Sequence, residues 1–344
     1  MKKFSKEEKL SFDDILLVPQ YSDITSRKDV SLRTVIGHGT KKSIGLDLPL
    51  IAAPMDTVCE WEMAAAMRKS GGLGIIHRYM PIEKQVEQIR LAVAAGRIAG
   101  GSVGARGTFI SDAQLLVDAG AALILVDVAN GHSQIAIDAV KHLRNVFGEQ
   151  VHIMAGNVST WDGYARLCDA GVDSVRVGIG GGSACTTRVV SGHGVPTLAS
   201  VMSILDKIDY KLDPAVIADG GIRNSGDAAK ALAAGAKAVM VGRLLAGTDE
   251  SPGKLLDGQY KVFRGMASRE AQEEGRGIVS GVEGISTVIP YIGSVEDVLS
   301  DFRAGLRSAL SYTGVDNIVD FHFESMYNRV SSNSLNETKP HAKE

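Results

Sequence analysis

The sequence predicts a (β/α)₈ barrel, and three observations carry that expectation. Short apolar runs recur through the middle of the chain, with stretches of helical period between them. The runs are nearly all apolar rather than alternating, as in parallel strands covered on both faces. Seven or eight such units within a chain of 344 residues fit a closed barrel, which takes ~250 residues, better than an open sheet.

Taken in order, residues 1–48 contain SFDDILLVPQYSDITSR and read as an N-terminal arm. Strands are expected at PLIAA (Pro49–Ala53), LGIIH (Leu73–His77), ALILVD (Ala122–Asp127), VHIMAG (Val151–Gly156), SVRVG (Ser174–Gly178), AVIADGG (Ala215–Gly221) and KAVMVG (Lys237–Gly242). Each is short, rich in Val, Ile and Leu, and bounded by glycine or polar residues. TLASVMSILDKI (Thr197–Ile208) and SGDAAKALAAG (Ser225–Gly235) show the clearest helical period. LLVDAGA, RLCDAGV and ALAAGA share a cadence in which Gly120, Gly171 and Gly235 cap a helix and lead into the next strand. Residues 243–295 are polar and glycine-rich, and an insertion of that size is functional or disordered. The expected organisation is an arm at 1–48, a catalytic barrel at 49–328 with a flap at about 264–292, and a disordered tail at 329–344.

Composition narrows the function. Apolar residues are 44% and charged residues 22% of the chain, in the ordinary soluble range. A net charge of −3 offers no basic surplus for nucleic acid. The three cysteines, Cys59, Cys168 and Cys185, are too scattered for a disulfide framework and lack metal-ligand spacing. Cys59 and Cys168 lie on helical patterns and read as packing residues. No apolar run reaches membrane-spanning length, and the charged N-terminus has no signal-like core. The expected setting is reducing and cytoplasmic.

The most informative stretch is GIGGGSACTTR (Gly178–Arg188), directly after the strand pattern DSVRV. Four glycines in five residues exclude a stable helix or central strand and give a loop whose backbone can approach a ligand closely. The loop presents Cys185 flanked by Thr186 and Thr187, an arrangement suited to covalent catalysis on a phosphorylated or planar substrate. The plain alternative is a surface loop with a free thiol.

Seven motifs in order, FDDILLVP, APMDTV, GNV, GIGGGSACTTR, ADGGI, FRGMAS and GLRSALSYTG, make the chain resemble the family of IMP dehydrogenases and GMP reductases. The resemblance runs from about Lys9 to Gly314 and implies a barrel that assembles as a homotetramer. Many dehydrogenases of the family insert a regulatory domain after the second helix. Here QIRLAVAAG (Gln88–Gly96) passes straight into IAGGSVGARG (Ile98–Gly107), leaving no room for one.

The resemblance implies a purine nucleoside monophosphate as substrate and Cys185 as the nucleophile at purine C2. Family dehydrogenases activate water with an Arg-Tyr pair on the flap. Here Arg276 is followed by Gly277, and no tyrosine lies between Gly265 and Pro290. Family reductases use a threonine and a flap glutamate to protonate departing ammonia, and Thr187 and Glu283 match them, Glu283 lying ten residues before Gly293. LVDVANGHS, HIMAGNV and Phe263 have the reductase form, whereas APMDTV and GGLGIIHRY read like a dehydrogenase. The expected activity is therefore GMP reductase with NADPH. The alternative is a short-form IMP dehydrogenase.

The other matched positions take implied roles. Asp219 would accept the ribose hydroxyls, while Ser183, Gly220, Gly221, Gly242 and Arg243 would hold the phosphate. Met55, Asn157, Gly265 and Met266 would frame the purine. Asp127, Val128, Ala129, Gly178 and Ile179 would meet the nicotinamide end of NADPH. Ser26, Arg27, Arg78, Ser308 and Ser311 would meet the rest of the cofactor, partly across a subunit boundary. The carbonyls of Gly180, Gly182 and Cys185 would bind potassium, although Gly181 replaces the family's usual proline and loosens that loop. The chain has no GxGxxG unit opening a helix, so no Rossmann site is expected.

Overall fold

The computed structural model describes residues 8–37, 42–96, 98–335 and 337. The chain enters through a 3-10 turn, Phe12–Asp14, and a short strand β1 (Ile15–Leu17), then forms a hairpin of β2 (Thr34–Ile36) and β3 (Ile44–Leu46). Eight parallel strands follow: β4 (Leu50–Ala52), β5 (Leu73–Ile76), β6 (Gly100–Val103), β7 (Leu123–Asp127), β8 (His152–Val158), β9 (Ser174–Val177), β10 (Ala215–Asp219) and β11 (Ala238–Val241). They pair in chain order, and β11 returns to β4, so the barrel is closed. The outer layer contains α1 (Trp61–Lys69), α2 (Ile82–Ala94), α3 (Phe109–Asp118), α4 (Gln134–Phe147) and α5 (Trp161–Ala170). After the four-residue helix α6 (Thr187–Val190), the layer continues with α7 (Thr197–Leu205) and α8 (Ser225–Ala233).

All seven strands expected from sequence are present, each within two residues of its expected ends. The eighth, β6, escaped the pattern because Gly-Gly-Ser carries no β-branched side chain. Packing demands that composition: a Cβ on Gly101 would lie 2.9 Å from the Leu116 side chain of α3. The link from α2 to β6 spans only residues 95–99.

Residues 243–295 are not structureless. They form α9 (Arg243–Ala246), a three-stranded antiparallel sheet of β12 (Leu255–Leu256), β13 (Tyr260–Arg264) and β14 (Ser286–Pro290), and α10 (Arg269–Arg276) between β13 and β14. Lys261 fixes this sheet to the body. Its buried ammonium donates to the carbonyls of Thr248 at 2.7 Å and Ser251 at 2.6 Å. The long helix α11 (Val295–Thr313) and α12 (Ile318–Glu324) complete the outer layer.

The chain ends need two corrections. Part of the arm is a plug: Ile36, Ile44 and Leu46 of the hairpin join Ile51, Leu73, Leu123, Met154 and Ala238 in the barrel interior. The tail is not disordered from residue 329, because β15 (Tyr327–Arg329) pairs with β1, Ile15 opposite Arg329. A 3-10 turn, Ser332–Leu335, follows. The rest of the expected tail, and residues 1–7 of the arm, lie outside the described residues. Cys59 sits in the turn before α1 rather than on a helix.

The closed end of the barrel holds a buried histidine. His152 is fully enclosed, with Nδ1 3.0 Å from the carbonyl of Lys42 and Nε2 2.7 Å from Ser174 Oγ. The carbonyl can only accept, so Nδ1 carries a proton, and in the neutral ring Nε2 accepts from Ser174. Burial holds its pKa down at about 4. The unfolded chain therefore binds one more proton than the folded one between about pH 6.5 and pH 4. Stability from this group is complete above that window and falls as pH drops through it, by roughly 3 kcal/mol in all. Urea denaturation at pH 7.5 and pH 4.5 is expected to show that loss, and His152→Gln is expected to flatten the slope.

Candidate functional site

The C-terminal ends of the barrel strands open into one cavity of about 1100 Å³. Such a rim is where (β/α)₈ barrels place their chemistry. Pro54 and Met55 follow β4, Arg78 and Tyr79 follow β5, and Val128 and Ala129 follow β7. Asn157 lies at the end of β8, Gly178–Thr187 follow β9, Gly220–Arg223 follow β10, and Gly242 and Arg243 follow β11. Gly265, Met266, Ala267, Gln272 and Glu283 cover it from the 264–292 segment.

The glycine loop is shaped by close backbone approach. Gly178 has φ +143, and a Cβ there would overlap the carbonyl oxygen of Asp219. The strand thus ends against its neighbour, and the loop turns over the barrel mouth. Cys185 and Gly284 form an antiparallel bridge. Thr186 N–H donates to the Glu283 carbonyl at 2.8 Å, and Ile285 N–H donates to the Ala184 carbonyl at 3.0 Å. The thiol loop and the covering segment are therefore joined by backbone, independently of their side chains.

That joint assembles a relay. The Cys185 thiol donates to Thr187 Oγ1 at 3.1 Å, and the Thr187 hydroxyl donates to Glu283 Oε2 at 2.7 Å. A hydroxyl has one proton, so the direction of the chain is set by whether Glu283 is ionised. Ionised, it accepts; protonated, it donates inward and frees the Thr187 proton for a partner in the cavity. The other thiols are unsuited to this chemistry. Burial pushes Cys59 far above the ordinary thiol range and Cys168 up to about 12.

The cavity floor holds a charge cluster that apolar strand patterning obscures. Arg176, in the middle of β9, is buried and donates to Asp127 Oδ1 at 2.5 Å, with its Nε 3.7 Å from Asp219 Oδ2. Asn157 donates to the same Asp219 oxygen at 2.8 Å. Burial pushes the Asp219 carboxyl up, against the downward pull of Arg176 and Asn157. Arg176 Nε and Asn157 Oδ1 have no hydrogen-bond partner among the described residues. Unpaired buried groups on a cavity wall suit a polar ligand that supplies the missing bonds. The available signal was a single arginine inside DSVRV, where both faces of the strand are covered.

A second ion cluster escaped the sequence reading because its members are far apart in the chain. Arg264, at the end of β13, binds Asp56 Oδ2 at 2.7 Å and Glu274 Oε2 at 2.6 Å. It ties the β4–α1 turn to the end of β13 and to α10.

Every position matched to catalysis or substrate lines the one cavity: Cys185, Thr187 and Glu283, and also Met55, Asn157, Ser183, Asp219, Gly220, Gly221, Gly242, Arg243, Gly265 and Met266. So do Arg78, Asp127, Val128, Ala129, Gly178 and Ile179 among the positions matched to the cofactor. Ser26, Arg27, Ser308 and Ser311 are not part of its lining. Ser26 caps the turn Arg27–Asp29 and the Arg27 guanidinium lies 5.7 Å from the Tyr312 ring centre, while Ser308 and Ser311 lie on α11.

Gly180, Gly182 and Cys185 also line the cavity. The Gly182 carbonyl already accepts the Cys185 N–H at 3.1 Å. Three neutral carbonyls, one of them engaged, do not make a complete potassium shell within one chain, so no chemistry is assigned to the ion. The dinucleotide is better matched. The cavity, of about 1100 Å³, is mostly apolar in its lining and carries a buried arginine with an unpaired Nε–H at its floor.

Fold and rim together define a (β/α)₈-barrel oxidoreductase of purine nucleotide metabolism. More particularly, the chain belongs to the IMP dehydrogenase / GMP reductase domain family, whose model matches residues 9–341. It is 31% identical to an inosine-5'-monophosphate dehydrogenase of Nitrosopumilus maritimus (strain SCM1), over 97% of this chain and 98% of the relative. That alignment extends over 474 residues, so the relative carries sequence with no counterpart here. A Cryptosporidium parvum inosine-5'-monophosphate dehydrogenase is 35% identical, over 96% of this chain and 94% of its own length. Among solved structures, a cysteine-to-alanine variant of the GMP reductase from Trypanosoma brucei, in complex with guanosine 5'-monophosphate, superposes with a TM-score of 0.92. It is 28% identical, with 99% of each chain covered. Among the described residues no helix is long and apolar enough to cross a membrane.

Proposed function

We propose that the protein is a GMP reductase, converting GMP and NADPH to IMP, ammonia and NADP⁺ through a covalent adduct at Cys185. The observation that carries this reading is the unbroken chain from Cys185 through Thr187 to Glu283. The Cys185 sulfur bonds to purine C2, and the C2–N bond to the exocyclic amine breaks with its electron pair going to nitrogen. Glu283 delivers the proton that nitrogen takes, through the Thr187 hydroxyl. When bound, NADPH supplies the hydride to C2, after which the C–S bond breaks and Cys185 leaves as thiolate. Asp219 accepts from the ribose hydroxyls, while Ser183, the glycine backbones and Arg243 hold the phosphate.

Asp127, Val128, Ala129, Gly178 and Ile179 orient the nicotinamide end of the cofactor, and Arg78 meets the rest of it. Ser26, Arg27, Ser308 and Ser311, away from the cavity, fit a homotetramer in which one copy completes the cofactor site of the next. A cytoplasmic setting, where thiols stay reduced, suits the nucleophile.

The competing reading is an IMP dehydrogenase without the inserted domain, favoured by the names of the sequence relatives. That reaction needs a group to activate water against the adduct, and Arg276 is followed by Gly277 with no tyrosine between Gly265 and Pro290. One assay separates the two. Absorbance of the reduced cofactor is expected to fall with GMP and NADPH as ammonia accumulates, and to stay flat with IMP and NAD⁺. Growth of that absorbance with IMP and NAD⁺, and no loss with GMP and NADPH, would overturn the assignment.

A further inference from the structure

Gln272, in α10, is 2% exposed and lines the main cavity. Among the described residues of that helix only Ala271 and Gln272 are buried, the others being charged side chains and a glycine nearer the surface. A buried amide is costly unless both of its ends are bonded, and here both are. Nε2 donates to the Ala267 carbonyl, before the helix, at 3.1 Å. Oε1 accepts from Ser280 N–H, after the helix, at 2.9 Å. The Ala267 carbonyl also accepts from the Glu283 N–H at 3.1 Å, so Gln272 and the backbone of Glu283 meet at one oxygen. The helix itself is fixed to the barrel. A Cβ on Gly275 would stand 2.5 Å from Tyr79 Cβ, so α10 lies directly on the rim beyond β5. Between α10 and β14, residues 278–283 form neither helix nor strand. That stretch is held by the bonds that the N–H groups of Ser280, Glu283 and Ile285 donate.

We propose that Gln272 is the positioning residue of the proton relay. Anchored on α10, it clamps Ser280 to Ala267 and thereby holds the Glu283 carboxyl on the Thr187 hydroxyl, which sets the rate at which the amine departs. The inference rests on the reading that Glu283 supplies that proton. Gln272 acts through Glu283 and gives up no proton of its own. A carboxyl that must stay 2.7 Å from a hydroxyl loses rate steeply when it is displaced, because proton transfer needs the two within hydrogen-bond reach. The irregular stretch that carries Glu283 has no ladder of its own to prevent such a displacement, so the duty falls on this side chain.

Gln272→Leu fills a similar space and makes neither bond; Gln272→Met, unbranched like the native side chain, repeats the test with a different shape. Hydrogen exchange of the full chain, read by mass spectrometry, needs no turnover. Peptides spanning residues 279–286 are expected to exchange about fivefold faster or more in both variants, with the barrel strands unchanged. With GMP and NADPH, kcat is expected to fall by roughly ten- to a hundredfold while the KM for GMP stays within a few-fold of native. Added to Glu283→Gln, Gln272→Leu is expected to cost less than about a further twofold, since the place of a proton donor matters only while there is one. Unchanged exchange over 279–286 would overturn the proposal. So would a full second loss in the double variant, which would mean that Gln272 acts on something other than Glu283. A native protein that does not reduce GMP loses the reductase reading, and the exchange result still decides whether Gln272 holds the Glu283 segment. A native protein that reduces GMP, with Gln272→Leu as fast, keeps the reductase and loses the positioning role.

Discussion

Cys185→Ala is expected to lower GMP reduction by ~10⁴-fold or more while the nucleotide still binds within a few-fold of the native affinity. The size of the loss follows from there being no substitute. Cys59 is enclosed and Cys168 is half-buried, and burial keeps both thiols protonated. The retention of binding follows from how the loop is held. Thr186, Ala184 and Glu283 are joined through backbone groups that a side-chain truncation leaves alone. Cys185→Ser tests the chemistry more narrowly, since it keeps a hydrogen-bonding group beside Thr187 but replaces the sulfur with a poorer nucleophile and leaving group. It is expected to be as inactive as the alanine variant. Intact-mass analysis of native protein quenched during turnover is expected to show the nucleotide adduct, which both variants lack. Turnover retained by either variant would remove the covalent step from the mechanism.

Strand positions were legible because barrel strands are covered on both faces, so ALILVD and KAVMVG announce themselves by composition. β6 was not, since Gly101 is chosen by the side chain of Leu116 pressing on it, a constraint that exists only once α3 is in place. The sheet β12–β13–β14 was missed for a related reason. Its strands are short, its inner residues alternate with polar ones, and its order comes from partners such as the carbonyls around Lys261. At the site, positions in APMDTV, GNV, GIGGGSACTTR and ADGGI fell together in one cavity because each of these motifs sits at the end of a barrel strand, while FRGMAS reaches it from the end of β13. Arg176 stayed hidden inside an apolar run, and the Asp56–Arg264 pair joins residues 208 positions apart. Pairings across that distance have no periodic trace in the chain.

Glu283→Gln is expected to reduce steady-state GMP reduction by ~10²- to 10³-fold, with the KM for GMP nearly unchanged. Glutamine fills the same volume, and its carbonyl oxygen still accepts from Thr187, so the segment over Cys185 stays in place. What it cannot do is give up a proton to a departing amine and recover one from water. The defect should therefore be confined to the deamination half. In the reverse direction, IMP and NADP⁺ form the adduct by hydride removal from C2, a step in which no amine leaves. A rapid-mixing experiment with IMP and NADP⁺ is expected to give a burst of reduced cofactor in Glu283→Gln within a few-fold of the native rate. Thr187→Val, which cuts the relay in its middle, should show the same split. The double variant should be little worse than either single one, because a proton path broken once is already broken. Loss of the hydride burst and of deamination to equal degree would mean that Glu283 only positions the loop, and the proton would have to come from elsewhere.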